Sequence, residues 1–110
     1  MTDKLVLFST CETAEEASRI ARHLVEQKLA ACVNIVSGAR SIYRWQGKIE
    51  EASEVLLIIK SSRALLGELR VELAKLHSYE VPELVALTIV DGSPTYLEWL
   101  EHELKPDTGG

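Results

Sequence analysis

The chain has 110 residues, of which 46% are hydrophobic and 26% are charged, and its formal net charge at pH 7 is −5. This composition is typical of a soluble globular protein, and the length fits a single domain. The 12 basic residues are scattered along the chain, whereas a nucleic-acid-binding protein presents such residues as a patch, so we expect no nucleic-acid partner. Cations and positively charged partners suit the acidic net charge better than phosphates do, and the alternative is that this charge only keeps the protein soluble.

The start of the chain and its cysteines predict a cytoplasmic protein. Residues 5–8 form a short apolar run, whereas a signal peptide has an apolar run of roughly 7–15 residues. No segment approaches the ~20 apolar residues of a membrane-spanning helix, so we expect no membrane partner. Cys11 and Cys32 are the two cysteines, and in the cytoplasm both are expected to be reduced thiols.

The N-terminal part of the chain predicts a strand followed by an amphipathic helix. Residues 4–9 are mostly apolar and rich in strand-forming residues. Thr13 and Glu16 then match a capping box, in which the Thr13 hydroxyl accepts from the Glu16 N–H and the Glu16 carboxylate accepts from the Thr13 N–H. The apolar residues that follow recur at the spacing of one helix face, and they are Ala17, Ile20, Ala21, Leu24 and Val25.

A long hairpin is predicted next. Residues 32–36 predict a second strand, Gly38 indicates a bulge or bend, and residues 41–45 predict that the pairing resumes. Gln46 and Gly47 are typical of a tight turn, because glycine supplies the positive φ that such a turn requires.

The third predicted strand covers residues 48–60 and ends in the apolar run of residues 55–59. Successive strand residues point to opposite faces of a sheet, so an uninterrupted apolar run predicts a strand that is covered on both faces. A domain of two layers leaves one face of its sheet in water. The pattern therefore indicates an oligomer that packs through its sheet.

A second helix is predicted after this strand. Ser61 or Ser62 is expected to cap it, and its core face is formed by leucines at helical spacing. These are Leu65, Leu66, Leu69, Leu73 and Leu76. Residues 77–83 are expected to form a loop, because Pro82 prevents further helix.

The last elements complete the predicted fold. Residues 84–90 predict a fourth strand, and Ser93 and Pro94 are typical of the N-cap and first residue of a helix. The order βαββαβ with a terminal helix predicts an α+β protein, a ferredoxin-like sandwich with one antiparallel sheet and two helices on one face. We expect residues 1–104 to form a single domain and residues 105–110 to form a flexible tail.

Four segments of the chain resemble motifs of the CutA family, in the order in which that family has them. They are residues 29–34 (LAACVN), 41–48 (SIYRWQGK), 79–83 (YEVPE) and 96–100 (YLEWL). The resemblance implies a homotrimer whose sheets pack around a threefold axis, with a role in tolerance of copper and other divalent cations. It also leads us to expect weak binding of Cu²⁺ or another divalent cation, and no organic cofactor.

The same resemblance directs attention to two candidate metal ligands. Some family members have a copper-associated cysteine near the end of the first strand, where this chain has Ser9, with Cys11 two residues later. They also have two adjacent histidines in the loop after the second helix, where this chain has His77 preceded by Leu76. We take His77 and Cys11 as the candidate ligands, with capping of the second helix as the structural alternative for His77. The remaining candidates are interpreted as structural or solvated side chains, and they are Cys32, His23 and His102.

The aromatic residues suggest a second kind of site. Five of the six, all but Phe8, occur in three short stretches that favour either packing between subunits or a partly apolar cleft at a subunit boundary. The residues expected to line that cleft are Tyr43, Trp45, Lys60, Tyr79 and Glu83. The alternative function is therefore a signalling-type sensor that binds a small metabolite in inter-subunit clefts. Lys60 predicts that this metabolite is an anion. We expect no enzyme, because the chain has no zinc-protease motif, no glycine-rich phosphate loop and no local nucleophile–base signature.

Overall fold

The computed structural model describes residues 2–106. Four strands and three helices follow each other along this part of the chain. They are β1 (Lys4–Cys11), α1 (Ala14–Glu26), β2 (Cys32–Trp45), β3 (Lys48–Ser62), α2 (Leu66–Leu76), β4 (Val85–Thr88) and α3 (Pro94–Glu103), and a short 3-10 helix (Arg63–Leu65) leads into α2.

The strands form one antiparallel sheet in the order β2-β3-β1-β4. In this order β3 lies between β1 and β2, and β1 lies between β3 and β4, as two interleaved βαβ units require. The predicted α+β class and ferredoxin-like arrangement are thereby confirmed.

The hydrophobic core lies between the helices and one face of the sheet. Alternation along β1 and β3 places Leu7, Leu57 and Ile59 on this face, where their side chains are fully buried. The helix residues that close the core are Ala17, Ile20 and Leu24 of α1 and Leu69 and Leu73 of α2. Burial of each large aliphatic side chain contributes about 1.5–3 kcal/mol, so this layer supplies most of the driving force for folding.

Strand register places a second set of side chains on the side of the sheet away from the core formed with α1 and α2. Leu56 and Ile58 of β3 point to this face and are only partly buried, while Leu87 of β4 is 57% exposed. Within one chain α1 and α2 leave this face of β3 open, and its covering by other copies, which the apolar run indicates, stays a prediction. The physical reason is that both crossovers are right-handed, so that α1 and α2 pack on the same side of the sheet.

The predicted bulge and turn shape the long β2–β3 hairpin. The register shifts between Val36 and Ala39, and Gly38 takes a φ of +89° there. Beyond the bulge the two strands pair only with each other and extend past the rest of the sheet, which gives the molecule a longest dimension of 43 Å. Gln46 and Gly47 close the hairpin with positive φ angles of +49° and +82°, as the common two-residue turn requires.

Several element boundaries differ from the predicted ones. β1 continues to Cys11 and β3 to Ser62, because their pairing extends over Lys4↔Ser62 to Cys11↔Val55. The structure places the 3-10 helix where the sequence predicts the start of α2, and Ser62 precedes it without a side-chain capping bond. β4 spans four residues rather than residues 84–90.

The C-terminal end is partly held against the body of the protein. Lys105 donates from its backbone N–H to the carbonyl of Lys28 at 2.9 Å, and its Nζ lies 2.9 Å from the carboxylate of Glu68. Residues 107–110 of the predicted flexible tail lie outside the described residues. No helix within residues 2–106 has the length and apolar character needed to cross a membrane.

Replacing Gly47 by alanine should lower the free energy of unfolding by about 1–2 kcal/mol, because a Cβ strains the left-handed backbone conformation that this turn needs. Chemical denaturation of the Gly47→Ala variant measures the effect. Gly67→Ala is the matched control, since Gly67 lies in α2 without a positive φ and with no heavy atom within 4 Å of the position that a Cβ would take. That variant should be unchanged or up to about 1 kcal/mol more stable; equal losses for both glycines would contradict the turn argument.

Candidate functional site

The loop between α2 and β4 is attached to the sheet by its own side chains and backbone. His77 ends α2, since its N–H donates to the Leu73 carbonyl at 3.0 Å while its backbone turns to an extended conformation. Further along, the Ser9 hydroxyl donates to the Glu83 carbonyl at 2.7 Å. Ser9 thus fixes the end of this loop against β1.

Both ring nitrogens of His77 are engaged in hydrogen bonds. The Nε2 atom lies 2.7 Å from the carbonyl oxygen of Thr10, and because a carbonyl only accepts, Nε2 carries the proton. The Nδ1 atom accepts from the Tyr79 N–H at 3.1 Å. The imidazole is therefore held as the neutral tautomer, fully buried, with no lone pair free for a metal ion.

Cys11 lies beside this imidazole but is not activated by it. Its Sγ is 4.0 Å from Nε2 of His77. Burial, with the nearby charges of Glu16 and Glu54, raises the pKa of the Cys11 thiol to about 11. The thiolate is the form that attacks electrophiles and binds metals, and at neutral pH this side chain is a thiol next to a nitrogen that already donates elsewhere.

The structure thus brings the two predicted metal ligands together, in a buried and hydrogen-bonded arrangement. Their metal binding stays a prediction, and it requires His77 to release either Thr10 or Tyr79. Across the part of the chain that the structure describes, no group of three or more His, Cys, Asp or Glu side chains is placed to hold a metal ion. The other histidine at a helix interface, His23, lies 3.1 Å from the Glu72 carboxylate and links α1 to α2.

Glu16 departs from the predicted capping box. The Thr13 hydroxyl accepts from the Glu16 N–H at 3.1 Å as predicted, but the Glu16 carboxylate accepts from the Ser78 N–H at 2.6 Å instead of the Thr13 N–H. The start of α1 lies against the loop after α2, so this carboxylate meets a backbone N–H of that loop. Burial opposes its ionisation, yet the hydrogen bonds from Ser78 hold the pKa of Glu16 below its ordinary value.

A cleft of about 390 Å³ lies between the hairpin arm and this loop. It brings together four of the five residues predicted to line a cleft, namely Tyr43, Trp45, Tyr79 and Glu83, with further lining from Thr10, Ser41, Glu54, Glu80 and Val81. The proximity arises because the extended arm runs alongside the loop that His77 and Ser9 attach to β1.

The fifth predicted residue, Lys60, lies outside the cleft. It is six residues beyond Glu54 on β3, which corresponds to about 20 Å at ~3.3 Å per residue. Its Nζ donates to the side-chain oxygen of Asn34 on the neighbouring strand. Within one chain Lys60 therefore lies apart from the aromatic residues, because they are at opposite ends of a hairpin whose strand β3 has 15 residues; its place in a cleft between subunits stays a prediction.

Glu54 is the cleft residue that the sequence reasoning missed. Its Oε2 accepts from the Tyr79 hydroxyl at 2.8 Å, and the residue is 9% exposed. Burial and the Glu54 carboxylate raise the pKa of Tyr79, so the phenol remains a proton donor at neutral pH. Its position in the sequence indicates this burial, because Glu54 directly precedes the apolar run of residues 55–59 and is buried together with the start of that run.

The sequence matches the family model described as CutA1 divalent ion tolerance protein over residues 5–103. It is 48% identical over 95 residues to the divalent-cation tolerance protein CutA of Thermus thermophilus, covering 86% of this chain and 92% of that protein. It is 45% identical over 101 residues to the chloroplastic protein CutA of Arabidopsis thaliana, covering 92% of this chain and 56% of that protein. The chain therefore spans little more than half the length of the plant relative.

Solved structures give the same result. The fold matches the divalent cation tolerance protein (Cut A1) from Thermus thermophilus with a TM-score of 0.91 and 45% identity, over 93% of this chain and 99% of that one. It matches CutA from Xylella fastidiosa with a TM-score of 0.92 and 41% identity, over 94% and 100% of the two chains. The family resemblance inferred from the four motifs is confirmed.

Removing the charge of Glu16 should destabilise the protein in a pH-dependent way. The pKa of this carboxylate is lower in the folded than in the unfolded state, so its charge stabilises the fold at pH values above the ordinary pKa of 4.5. This stabilisation is lost as the pH falls through the pKa of the folded state. We expect Glu16→Gln to cost about 1 kcal/mol at pH 7, the difference between a charged and a neutral hydrogen bond. Denaturant titrations at pH 7 and pH 3.5 test this: the gap between wild type and variant should narrow at the lower pH, and a constant gap would contradict the role of the charge.

Proposed function

Because the chain belongs to the family of CutA1 divalent ion tolerance proteins, we propose that it serves in the tolerance of divalent metal ions and does so as a homotrimer. The proposal involves no catalytic step. Neither of the relatives and neither of the structures named above carries an enzyme's name, and the Cys11–His77 pair lacks a thiolate. The cytoplasmic location expected from the sequence stays a prediction, since the plant relative is named as chloroplastic.

The open face of the sheet is the observation that supports the trimer. Strand register places its apolar side chains together on the side away from α1 and α2, and they are Val6, Phe8, Val36, Leu56, Ile58, Val85 and Leu87. Asn34 and Lys60 lie on the same face, and large exposed apolar patches mark surfaces that pack against other protein chains. Face-to-face packing of sheets buries such a surface, which three copies around a threefold axis would achieve.

Binding of divalent cations is the second part of the proposal. The net charge of −5 per chain attracts cations, and His77 with Cys11 remains the candidate ligand pair. Among divalent ions, copper has the highest affinity for imidazole and thiolate ligands. We propose weak copper-preferring binding, because both side chains must first give up their present hydrogen-bonded arrangement.

A sensor of small ligands is the alternative, and the cleft of about 390 Å³ favours it. Its volume falls in the range of about 300–1,000 Å³ that ligand pockets occupy. Three aromatic side chains and Val81 line it together with five polar residues, so the cleft offers both apolar contacts and polar groups to a ligand. Neither Cys11 nor His77 lines the cleft, but its residues Thr10 and Tyr79 contact His77, so the two candidate sites are neighbours.

The assembly is tested by a charge placed on the open sheet face. Multi-angle light scattering at micromolar concentration should give three times the chain mass of 12.2 kDa for the wild type. Leu87→Lys should shift the protein to monomers, since a buried unpaired charge costs several kcal/mol. Val71→Lys is the matched control, because Val71 is similarly exposed, at 53%, but lies on α2. A monomeric wild type, or a trimeric Leu87→Lys variant, would contradict the proposed interface.

Metal binding is tested by calorimetric titration with Cu²⁺ and Zn²⁺. The wild type should bind Cu²⁺ more tightly than Zn²⁺, and His77→Ala and Cys11→Ser should each weaken Cu²⁺ binding about tenfold or more, as loss of a ligand predicts. His102→Ala, on α3, is the control and should bind as the wild type does. If His77→Ala and Cys11→Ser both bind Cu²⁺ normally, the ligand assignment is wrong and His23 or His102 becomes the candidate.

A further inference from the structure

We propose that the cleft between the hairpin arm and the loop after α2 binds a small organic ammonium ion with an apolar body. This inference deepens the ligand-sensor alternative and rests on it. It names the chemical class of the ligand, which the sequence suggested to be an anion bound through Lys60. Three observations carry it: the charge of the lining, the spacing of its carboxylates and the presence of aromatic faces.

The lining of the cleft has one sign of charge. Its ionisable side chains are the carboxylates of Glu54, Glu80 and Glu83 and the phenols of Tyr43 and Tyr79. The lining includes no lysine, arginine or histidine from the part of the chain that is described. A concave acidic surface concentrates its field and repels anions, so the ligand that suits this cleft is a cation.

The carboxylates are not arranged for a metal ion. A hard divalent cation needs several oxygen ligands at about 2.0–2.6 Å from one point, and the described residues contain no group of three or more acidic, histidine or cysteine side chains that meets this need. An ammonium ion has no such requirement, because one carboxylate can pair with it while the others contribute a diffuse attraction.

The rest of the lining suits the apolar body of an organic cation. Tyr43 and Trp45 come from one face of the hairpin arm, where each is partly exposed in a single chain, at 44% and 42%; strand pairing puts them on the side of the open sheet face, so the cleft lies at a subunit boundary of the proposed trimer. Tyr79 faces them from the loop, and Val81 adds an aliphatic contact. Aromatic faces attract cations within about 6 Å, tryptophan most strongly, and this attraction grows when the site is shielded from water.

Glu54 is the carboxylate that we assign to the ammonium group. Its Oε2 is held by the Tyr79 hydroxyl at 2.8 Å, which fixes the side chain in the cleft. Among residues 2–106 no buried side-chain oxygen lacks a hydrogen-bond partner, and no described donor binds Oε1 of Glu54. The second oxygen is therefore open to the cleft, and a bound ammonium would pair with it at little cost in side-chain entropy.

Three probes of one shape and different charge test the inference by calorimetry at pH 7: benzylamine as the cation, benzyl alcohol as the neutral analogue and benzoate as the anion. Tetramethylammonium serves as a second cation that relies on the aromatic faces alone. We expect benzylamine to bind at least tenfold more tightly than benzyl alcohol, and benzoate not to bind.

Variants then locate the site. Glu54→Gln keeps the acceptor for Tyr79 but removes the charge, and it should weaken benzylamine binding about tenfold, as loss of a charged hydrogen bond predicts. Glu83→Gln is the second variant and should weaken benzylamine binding by a smaller factor. Because Glu83 is exposed, this variant keeps the test informative if Glu54→Gln fails to fold. Glu98→Gln, at an exposed position of α3, removes the same charge elsewhere and should leave binding unchanged. Light scattering on each variant separates loss of binding from loss of assembly.

The outcomes distinguish the ligand class from the ligand site. Binding of benzoate or benzyl alcohol as tightly as benzylamine would overturn the cation preference while leaving the cleft as a ligand site. Absence of binding for both cations and both analogues would overturn the inference together with the ligand-sensor alternative. Unchanged benzylamine binding in both the Glu54→Gln and the Glu83→Gln variant would place the site elsewhere and so overturn the assignment.

Discussion

The packing of both crossover helices on one face of a single sheet is the constraint on which the rest of the structure depends. Right-handed connections leave no other place for α1 and α2, so one face of β1 and β3 becomes the core and the other remains apolar and uncovered. β1 pairs with β3 only as far as Cys11↔Val55. Because β1 ends at Cys11, the β2–β3 hairpin continues alone as an arm, and it forms one wall of the cleft. The apolar open face and the cleft are thus consequences of the same topology.

The buried imidazole of His77 connects this scaffold to the candidate site. A neutral histidine that donates to one backbone group and accepts from another acts as a rigid connector between the end of α2, the end of β1 and the loop that follows. Glu16 supports the same loop from α1 through Ser78. These polar groups are buried and hydrogen-bonded, which is the condition under which burial of polar atoms stabilises rather than weakens a fold. A loop held at several points keeps Tyr79 and Glu83 opposite the hairpin arm.

The chemistry that we propose for the molecule is recognition of cations without an activated nucleophile. The protein's own charge is negative, the lining of its cleft contains acids and aromatic rings, and its Cys11–His77 contact holds a protonated thiol. These features agree with membership in a family named for divalent ion tolerance. A metal ion and an organic cation would bind in different ways. The metal ion needs several ligands that converge on one point, whereas the organic cation needs a negatively charged surface that is shielded from water.

The sequence by itself determined the element order, the bulge at Gly38, the turn at Gly47 and the helical face of α1, because each depends on local backbone preference or on periodicity within one segment. Four motifs in register were enough to indicate the family. The element ends, the second partner of Glu16 and the burial of Glu54 were decided by the tertiary structure. Each of these depends on a group far away in the sequence, such as the Ser78 N–H or the Tyr79 hydroxyl. The distance between Lys60 and the cleft was likewise decided by the tertiary structure. Which residues lie close together on a sheet follows from strand register and strand length, and no single segment encodes these.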